Sequence, residues 1–256
     1  MKRRCCRNRV FLRQLLSVCL KGCVSSMKTA VILLAAGSGK RMQAGRNKLF
    51  LTLHNKPVLA YTAGAFQKSS LVDGILVVAK DGELEQIQQM LPQNVYDKII
   101  GYTIGGKERQ DSVLCGLKAL PAEYDRVMIH DGARPFVTEE LIAALMGQLT
   151  PECGTIAAVP AKDTVKRVDE SGFVQETLKR SELWNIQTPQ CFYTAAILEC
   201  YLRGEQEGFV ATDDASLAEQ YGLAVKTVPA YYENIKLTTP EDLDVAEVFL
   251  KRLNLV

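Results

Sequence analysis

Residues 30–42 decide the fold of this chain, and they read AVILLAAGSGKRM. The five consecutive apolar residues 30–34 predict a strand that is buried on both faces, as in a parallel sheet. The run then breaks at Gly37 and Gly39, which lack a Cβ and let the backbone turn tightly near a ligand. Such a turn, followed by a helix, aims backbone N–H groups outward and suits a phosphate. We therefore expect a first strand that leads into an anion-binding loop.

Two cations, Arg41 and Lys48, follow this loop in the sequence. The stretch is neither the Gly-x-x-x-x-Gly-Lys-Ser/Thr phosphate loop nor the Gly-x-Gly-x-x-Gly dinucleotide signature. An ordinary strand-to-helix turn is the alternative interpretation. The paired glycines with two cations behind them favour phosphate binding.

Strand and helix patterns alternate along the rest of the chain. This alternation predicts an α/β protein with a doubly wound, mostly parallel sheet and right-handed crossovers. Ligands of such sheets bind at the carboxyl ends of the strands, where the first loop and Asp131 both fall. The predicted strands are 74–79, 98–103, 126–131 and 224–228, and the predicted helices are 59–66, 83–91, 110–120, 138–149, 195–202, 214–221 and 241–253.

A hairpin interrupts this alternation. Residues 162–168 and 173–178 are polar–apolar runs on either side of Asp-Glu-Ser-Gly at 169–172, which is a hairpin signal. A two-stranded ribbon is marginally stable alone and needs something to pack against. We predict that residues 160–185 form a β-arm that docks on a second subunit and makes the protein a homodimer.

Length and charge limit the function. The chain has 256 residues, and we assign 27–256 to a single domain. Residues 1–26 hold seven basic and no acidic side chains, so the remainder carries 24 basic against 29 acidic groups. A net negative body does not fit a general nucleic-acid binder, and the lack of an 18-residue apolar run predicts no membrane span.

The basic leader and the cysteines bear on location. Residues 10–20 loosely suggest a targeting segment, but Arg13 interrupts them, so we favour an over-long gene start or a disordered extension over organellar import. Four of the eight cysteines lie in the leader, and the others lack metal-ligand spacing: Cys115, Cys153, Cys191 and Cys200. We expect reduced, mostly buried thiols and a cytoplasmic protein.

Two further stretches point to ligand chemistry. Gly105 and Gly106 lead into a helix whose first turn carries Arg109 and Ser112, although a capped helix with an exposed arginine would look the same. Asp131 ends a buried strand, where a carboxylate is costly unless it is paired or holds a metal. In a nucleotide site its natural partner is Mg²⁺, which takes few carboxylates and completes its shell with water and phosphate.

The first loop resembles the nucleotide-binding signature of the sugar-phosphate nucleotidyltransferases, Leu-Ala-Ala-Gly-x-Gly-x-Arg-Met followed by a lysine. Later stretches narrow the resemblance to the 2-C-methyl-D-erythritol 4-phosphate cytidylyltransferase family of the non-mevalonate isoprenoid pathway. They are Gly-Gly-x-x-Arg-x-x-Ser-Val at 105–113, Leu-Trp-x-x-x-Thr-Pro-Gln at 183–190 and Asn-Ile-Lys-x-Thr-x-Pro-Glu-Asp-Leu at 234–243. Two positions depart from the family pattern. Gly132 stands where alanine is common, and Asp214, in Thr-Asp-Asp-Ala at 212–215, stands where the family has glutamate.

The resemblance implies a Rossmann-like nucleotidyltransferase fold and transfer of CMP from CTP to methylerythritol phosphate, giving 4-diphosphocytidyl-2-C-methyl-D-erythritol and pyrophosphate. It implies Arg41 and Lys48 as catalytic residues and Asp131 as the ligand of a divalent cation such as Mg²⁺. Thr164 and Arg180 would reach the partner's cleft from the arm. The resemblance assigns CTP to Ala35, Ala36, Gly37, Gly39, Gly105, Gly106, Arg109 and Ser112, and the sugar phosphate to Arg134, Thr164, Arg180, Thr212, Lys236 and Thr238.

Two alternatives stay open at this point. A ribitol-5-phosphate cytidylyltransferase would share the fold and the reaction with a different acceptor, although Ala35-Ala36-Gly37 leans toward the methylerythritol enzyme. A non-catalytic nucleotide-binding module is the more distant alternative. Retention of Arg41, Lys48 and Asp131 argues against it, because binding alone would not need all three.

Overall fold

The computed structural model describes residues 27–37 and 47–253. Its strands are β1 Lys28–Ala35, β2 Thr52–Leu53, β3 Lys56–Pro57, β4 Gly74–Ala79, β5 Ile99–Ile104, β6 Tyr124–Asp131, β7 Cys153–Pro160, β8 Lys166–Val168, β9 Val174–Thr177, β10 Trp184–Tyr193 and β11 Ala224–Pro229. Its α-helices are α1 Val58–Lys68, α2 Leu84–Met90, α3 Arg109–Ala119, α4 Glu139–Met146, α5 Thr194–Glu207, α6 Asp214–Gln220 and α7 Glu241–Arg252. Short 3₁₀ helices lie at Lys48–Phe50 and Arg180–Glu182.

Seven strands form the central sheet in the order β11-β7-β10-β6-β1-β4-β5. Most neighbours run parallel, and β10 alone lies antiparallel to both of its partners, β6 and β7. The predicted α/β class with a mostly parallel sheet is confirmed. Two small two-stranded sheets, β2 with β3 and β8 with β9, stand apart from it.

Strand β1 lies in the middle of the sheet and is buried along almost its whole length. Val31 and Leu33 belong to the core on one side of the sheet, which α1, α4 and α7 complete. Ile32 and Leu34 belong to the core on the other side, which α3, α5 and α6 complete. Because successive strand residues point to opposite faces, this apolar run faces helices on both sides, and the sheet is doubly wound.

The strand order reverses at β1, with β4 and β5 on one side and β6 on the other. A crevice outside the carboxyl ends of the strands is the usual ligand site at such a reversal. The register places Leu34 of β1 beside Asp131 of β6, and Ala79 of β4 beside Ile104 of β5. The loops that follow these four strands therefore open onto one edge.

Local signals set the helix ends. Thr138 caps α4 by accepting a hydrogen bond from the backbone N of Leu141, as its position predicts. Helix α4 ends at Met146, three residues earlier than expected. Helix α5 runs five residues beyond the predicted end at 202 and stops at Gly208, whose φ of 65° suits a glycine.

The central strands β7 and β10 are both absent from the predicted strands, and β10 is the less expected of the two. Its sequence contains polar residues and a proline, yet it pairs with β6 and β7 inside the sheet. The hairpin is confirmed, although its strands are shorter than predicted, at three and four residues. Asp169 closes the turn by accepting hydrogen bonds from the backbone N atoms of Ser171 and Phe173.

None of the helices in the described ranges is both long and apolar enough to cross a membrane.

Candidate active site

A cleft of about 880 Å³ opens at the carboxyl ends of β1, β4, β5 and β6. Its walls come from the loops after these strands and from the segment before α7, so elements far apart in sequence meet there. The lining residues are Leu34, Ala36, Gly37, Lys48, Leu49, Lys80, Asp81, Gly105, Gly106, Lys107, Glu108, Arg109, Ser112, Asp131, Gly132, Ala133, Lys236 and Thr238.

The first loop contributes Gly37 and Lys48 to this cleft. Among the described residues, a Cβ built on Gly37 would meet no atom within 4 Å. Asn47 sets the start of the turn that carries Lys48, because its side-chain oxygen accepts a hydrogen bond from the backbone N of Leu49. The same side chain donates to the Ala35 carbonyl and to Glu83. Asn47 thus ties the Lys48 turn to the end of β1.

The second loop requires both of its glycines. A Cβ on Gly105 would lie 2.6 Å from the Ser112 hydroxyl, and one on Gly106 would lie 2.2 Å from the Asp111 Cβ. Glu108 and Asp111 form a reciprocal capping box at the start of α3. The helix start is therefore capped, as in the alternative interpretation, but the Arg109 side chain is only 28% exposed. The close approach of loop and helix explains the paired glycines.

Asp131 sits among three cations at the base of the cleft. Its Oδ2 lies 2.7 Å from the Lys236 Nζ and 3.9 Å from the Arg134 Nε, and its Oδ1 lies 3.3 Å from the Arg109 Nε. Burial alone would raise the pKa of Asp131, but Arg109, Lys236 and Arg134 outweigh it and hold the pKa well below its ordinary value. The carboxylate is therefore ionised, as the sequence argument required.

Arg109 is held from two sides. Its Nη1 and Nη2 donate to the two carboxylate oxygens of Asp214 over 2.8 and 2.7 Å, and its Nε donates to Asp131. Burial would lower the pKa of Arg109, but the carboxylate of Asp214 raises it above the ordinary value. The guanidinium therefore stays charged and joins α6 to the end of β6.

Buried polar groups support Asp131 from behind. The Thr188 hydroxyl accepts a hydrogen bond from the backbone N of Asp131 and lies 3.2 Å from the His130 Nδ1. The other ring nitrogen of His130 lies 3.1 Å from the Arg134 carbonyl oxygen. Arg134 in turn donates to the Asn234 carbonyl, and Asn234 donates to the Thr188 carbonyl. His130 thus belongs to the network that supports Asp131.

Thr238 lines the cleft beside Lys236. Its hydroxyl and its backbone N both donate to Asp242, 2.9 and 2.6 Å away, and the backbone N of Thr239 donates to the same oxygen. Partial burial would raise the pKa of Asp242, but these hydrogen bonds outweigh it and lower the pKa. Asp242 therefore fixes the segment that presents Lys236 and Thr238.

Several predicted residues lie elsewhere. Ala35 is buried at the end of β1, and Thr212 lies just before α6 with its hydroxyl bonded to Ser216. Thr164 and Arg180 are exposed in the arm, where Arg180 donates to the Lys162 carbonyl. Gly39 and Arg41 fall outside the described residues.

The sequence analysis did not assign five charged residues in or near the cleft, namely Lys80, Asp81, Lys107, Glu108 and Asp214. Lys80 and Asp81 directly follow β4, so the rule that ligands gather at carboxyl strand ends could have found them. Asp214 carried no such signal, because a carboxylate at a helix start also reads as a cap. The cap here is Asp213, which accepts a hydrogen bond from the backbone N of Ser216.

The donor set at Asp131 fits a shared magnesium ion. In the described chain, no three His, Cys, Asp or Glu side chains lie close enough together to hold a metal by themselves. Mg²⁺ is commonly bound by one or two carboxylates together with the phosphates of a substrate. Asp131, an ionised aspartate in the lining of the cleft, supplies such a carboxylate.

A glycine-lined, cation-rich cleft at the strand-order reversal of a doubly wound sheet defines an α/β nucleotide-binding enzyme of the nucleotidyltransferase fold. Residues 29–252 match the model of one family within this class, 2-C-methyl-D-erythritol 4-phosphate cytidylyltransferase. The chain therefore belongs to that family and is a nucleotidyltransferase.

Individual relatives agree. The chain is 45% identical over 224 residues to the Halalkalibacterium halodurans enzyme of this name, covering 88% of this chain and 97% of that protein. It is 44% identical over 231 residues to the Geotalea uraniireducens enzyme, covering 89% and 99%. The crystal structure of 4-diphosphocytidyl-2C-methyl-D-erythritol synthase from Anaerococcus prevotii superposes with a TM-score of 0.79 at 34% identity, covering 88% of this chain and 96% of that one.

Proposed function

We propose that the cleft at the end of β1 and β6 carries out the reaction of the family, with the residue roles given below. That reaction transfers CMP from CTP to 2-C-methyl-D-erythritol 4-phosphate, in the non-mevalonate pathway to isoprenoid precursors. An oxygen of the acceptor phosphate attacks the α-phosphorus of CTP, and the bond to the pyrophosphate leaving group breaks. The products are 4-diphosphocytidyl-2-C-methyl-D-erythritol and pyrophosphate.

The observation that carries the proposal is the group of charges around Asp131. Lys236, Arg109 and Arg134 surround this carboxylate, and the two glycine loops lie on the same edge of the sheet. Two phosphorylated substrates must meet in one cleft, and their negative charges repel each other. A cluster of fixed cations opposes that repulsion and needs no reorganisation when the substrates arrive.

The mechanism needs no side-chain base, because the attacking phosphate is already anionic at neutral pH. Catalysis then consists of positioning the two substrates and neutralising charge in the transition state. Lys48, together with Arg41, neutralises the α-phosphate and the leaving pyrophosphate. Asp131 would hold Mg²⁺, which when bound neutralises phosphate oxygens and orients them.

The two loops bind CTP in this proposal. Ala36, Gly37, Gly105 and Gly106 let the nucleotide approach the backbone, and Ser112 lies behind them at the start of α3. Ala35 and Gly39 lie on either side of residues 36–38 in the sequence and are also assigned to CTP. The acceptor phosphate goes to Lys236 and Thr238, with Arg134 behind them. Thr212, which lies just before α6, is also assigned to the acceptor.

The arm completes the acceptor site from a second subunit. Thr164 and Arg180 are exposed and lie outside the set of residues that line the cleft of their own chain. The arm also exposes apolar side chains, including Phe173, which is 72% exposed, and Val174. A homodimer would cover this apolar surface and bring both polar residues to the partner's cleft.

A mixed-dimer experiment tests the arm. Arg180→Ala should raise the KM for the acceptor and leave that for CTP nearly unchanged. Mixed with Lys48→Ala, it should recover about a quarter of normal activity, because half of randomly exchanged dimers hold one intact site. No recovery, with subunit exchange confirmed by a tag, would show that Arg180 does not act across the interface.

The reaction itself is tested by release of pyrophosphate from CTP with each candidate acceptor. We expect turnover with methylerythritol phosphate and at least about 100-fold less with ribitol 5-phosphate. Asp131→Asn, which keeps the shape and removes the charge, should abolish turnover. Faster turnover with ribitol 5-phosphate would show that the protein is a ribitol-5-phosphate cytidylyltransferase. The absence of turnover with either acceptor would favour a non-catalytic nucleotide-binding module.

A cytoplasmic location is part of the proposal. Cys115, Cys153, Cys191 and Cys200 are free thiols, which fits a reducing compartment. Burial raises the pKa of Cys191 to about 12, so its thiol is inert. We also propose that residues 27–256 form one catalytic domain and that residues 1–26 are an extension dispensable for catalysis.

A further inference from the structure

Asp214 is a carboxylate without solvent exposure at the first position of α6. Its two oxygens accept hydrogen bonds from the Nη1 and Nη2 of Arg109 over 2.8 and 2.7 Å. The Tyr201 hydroxyl donates a third hydrogen bond to the same carboxylate over 2.5 Å. A buried carboxylate is costly unless its oxygens are satisfied, and here both oxygens are.

The position of Asp214 at a helix start does not explain this arrangement. The neighbouring residue Asp213 already caps α6, accepting a hydrogen bond from the backbone N of Ser216 over 2.8 Å. Asp213 makes no hydrogen bond or ion pair with Arg109 and instead accepts a second hydrogen bond from Gln190. The two adjacent aspartates therefore have different partners. Asp213 caps α6, and Asp214 binds Arg109.

Arg109 connects this buried carboxylate with the cleft. While Asp214 holds the outer two nitrogens, the Arg109 Nε donates to the Asp131 Oδ1 over 3.3 Å. The guanidinium is planar and rigid, so fixing one edge of it fixes the direction of the Nε–H as well. Tyr201 remains a donor to Asp214, because burial and then the nearby carboxylate raise the pKa of its hydroxyl well above the ordinary value.

We propose that Asp214 and Tyr201 are positioning residues, which hold the Arg109 guanidinium so that it fixes the Asp131 carboxylate in the cleft before substrates bind. The proposal rests on the proposed function of that cleft. It extends the site to a chain of contacts from the α5 residue Tyr201, through Asp214 and Arg109, to Asp131. A purely structural ion pair would stabilise the fold and leave catalysis by the folded protein unchanged.

The test compares Asp214→Asn and Tyr201→Phe with Asp213→Asn, a matched control at the adjacent position. Steady-state kinetics on the full chain, with pyrophosphate release as the readout, give kcat and KM for both substrates. We expect Asp214→Asn to lower kcat/KM by about 10- to 100-fold, as is typical for residues that orient a ligand of the reacting groups. Tyr201→Phe should lower it about fivefold, and Asp213→Asn less than about twofold, because asparagine is an equally good cap.

A double-mutant cycle separates positioning from stability. If Asp214 acts through Arg109, then adding Asp214→Asn to Arg109→Lys should cost less than about twofold more in kcat/KM. Full additivity of the two effects would overturn the proposal. So would kcat/KM values for folded Asp214→Asn and Tyr201→Phe within twofold of wild type, whatever their unfolding temperatures. If Asp214→Asn does not fold, Tyr201→Phe decides, since it removes one hydroxyl only.

A second readout does not depend on turnover. In wild type the Arg109 Nε–H should give a resolved ¹⁵N NMR signal that exchanges slowly with water, identified by its loss in Arg109→Lys. That signal should disappear or exchange much faster in Tyr201→Phe and persist in Asp213→Asn. A wild-type protein without cytidylyltransferase activity would refute the proposed function, whereas an unchanged Arg109 signal in Tyr201→Phe would refute the positioning role.

Discussion

Gly132→Ala tests how tightly β1 and β6 are joined beneath the cleft. A Cβ at Gly132 would lie 2.8 Å from the Leu34 carbonyl oxygen and 3.0 Å from the Leu59 Cδ1. The backbone cannot easily withdraw, because the Gly132 N donates to that same carbonyl over 2.9 Å and the Gly132 carbonyl accepts from the Thr62 hydroxyl over 2.8 Å. The added methyl group must therefore push two hydrogen-bonded strands apart.

Overpacking of this kind costs about 1–3 kcal/mol. In a domain of this length each kcal/mol lowers the unfolding temperature by about 2–4 °C, so Gly132→Ala should unfold about 2–12 °C below wild type. The loss should show equally in the midpoint of chemical denaturation, with the slope unchanged.

Thermal unfolding of the full chain, followed by circular dichroism without ligands, measures this effect. The matched control is Gly37→Ala, the same substitution in the neighbouring loop, where the new Cβ meets no atom of the described residues within 4 Å. It should unfold within about 2 °C of wild type. If Gly132→Ala unfolded at or above the wild-type temperature, β1 and β6 could separate freely and the packing argument would be wrong. Alanine is common at the position of Gly132 in the family that the chain resembles, so Gly132→Ala shows whether the packing of this particular chain requires glycine there.

Lys48→Ala and Arg41→Ala should each lower kcat about 100-fold or more with little change in the KM for CTP, because cations aimed at the transition state act on the rate. A raised KM for CTP with unchanged kcat would show instead that the residue contributes only to binding of the substrate in its ground state. Asp242→Ala should destabilise the protein by about 1–2 kcal/mol at pH 7 in urea denaturation, and the difference should shrink below pH 4. This pH dependence arises because the pKa of Asp242 is lowered in the folded state, so the ionised carboxylate stabilises that state above its ordinary pKa. The stabilisation is lost as the pH falls and the carboxylate becomes protonated. A chain that begins at Met27 should keep kcat within about twofold of the full chain, and a larger loss would give residues 1–26 a role in catalysis.

The fold was predictable where local patterns and global structure agree. The apolar run of β1 needed helices on both faces, and Val31 and Ile32 indeed belong to opposite cores. Gly105, Gly106 and Asp131 could be placed in one cleft because parallel strands present their carboxyl ends at one edge. These inferences use only periodicity and chain direction, which a single sequence contains.

Other features depend on partners that are distant in sequence. Strand β10 contains Gln187 and Gln190, which read as surface residues until Asn234 and Asp213 supply their hydrogen bonds. Asp214 reads as a helix cap until Arg109, 105 residues away, approaches it. No local pattern encodes such pairs, and their burial becomes favourable only once the whole sheet has formed.

The charge balance of the cleft explains why its cations surround a carboxylate before any substrate is present. The lining contains the cations Lys48, Lys80, Lys107, Arg109 and Lys236 against the acids Asp81, Glu108 and Asp131. Without anions in the cleft, Lys236 and Arg109 would repel each other, and Asp131 holds both of them in place. Lys236 is paired with one carboxylate, that of Asp131, whereas Arg109 is held by both Asp131 and Asp214. In the proposed mechanism, Lys236 faces the acceptor phosphate while it stays close to Asp131, and Arg109 keeps Asp131 oriented from the other side.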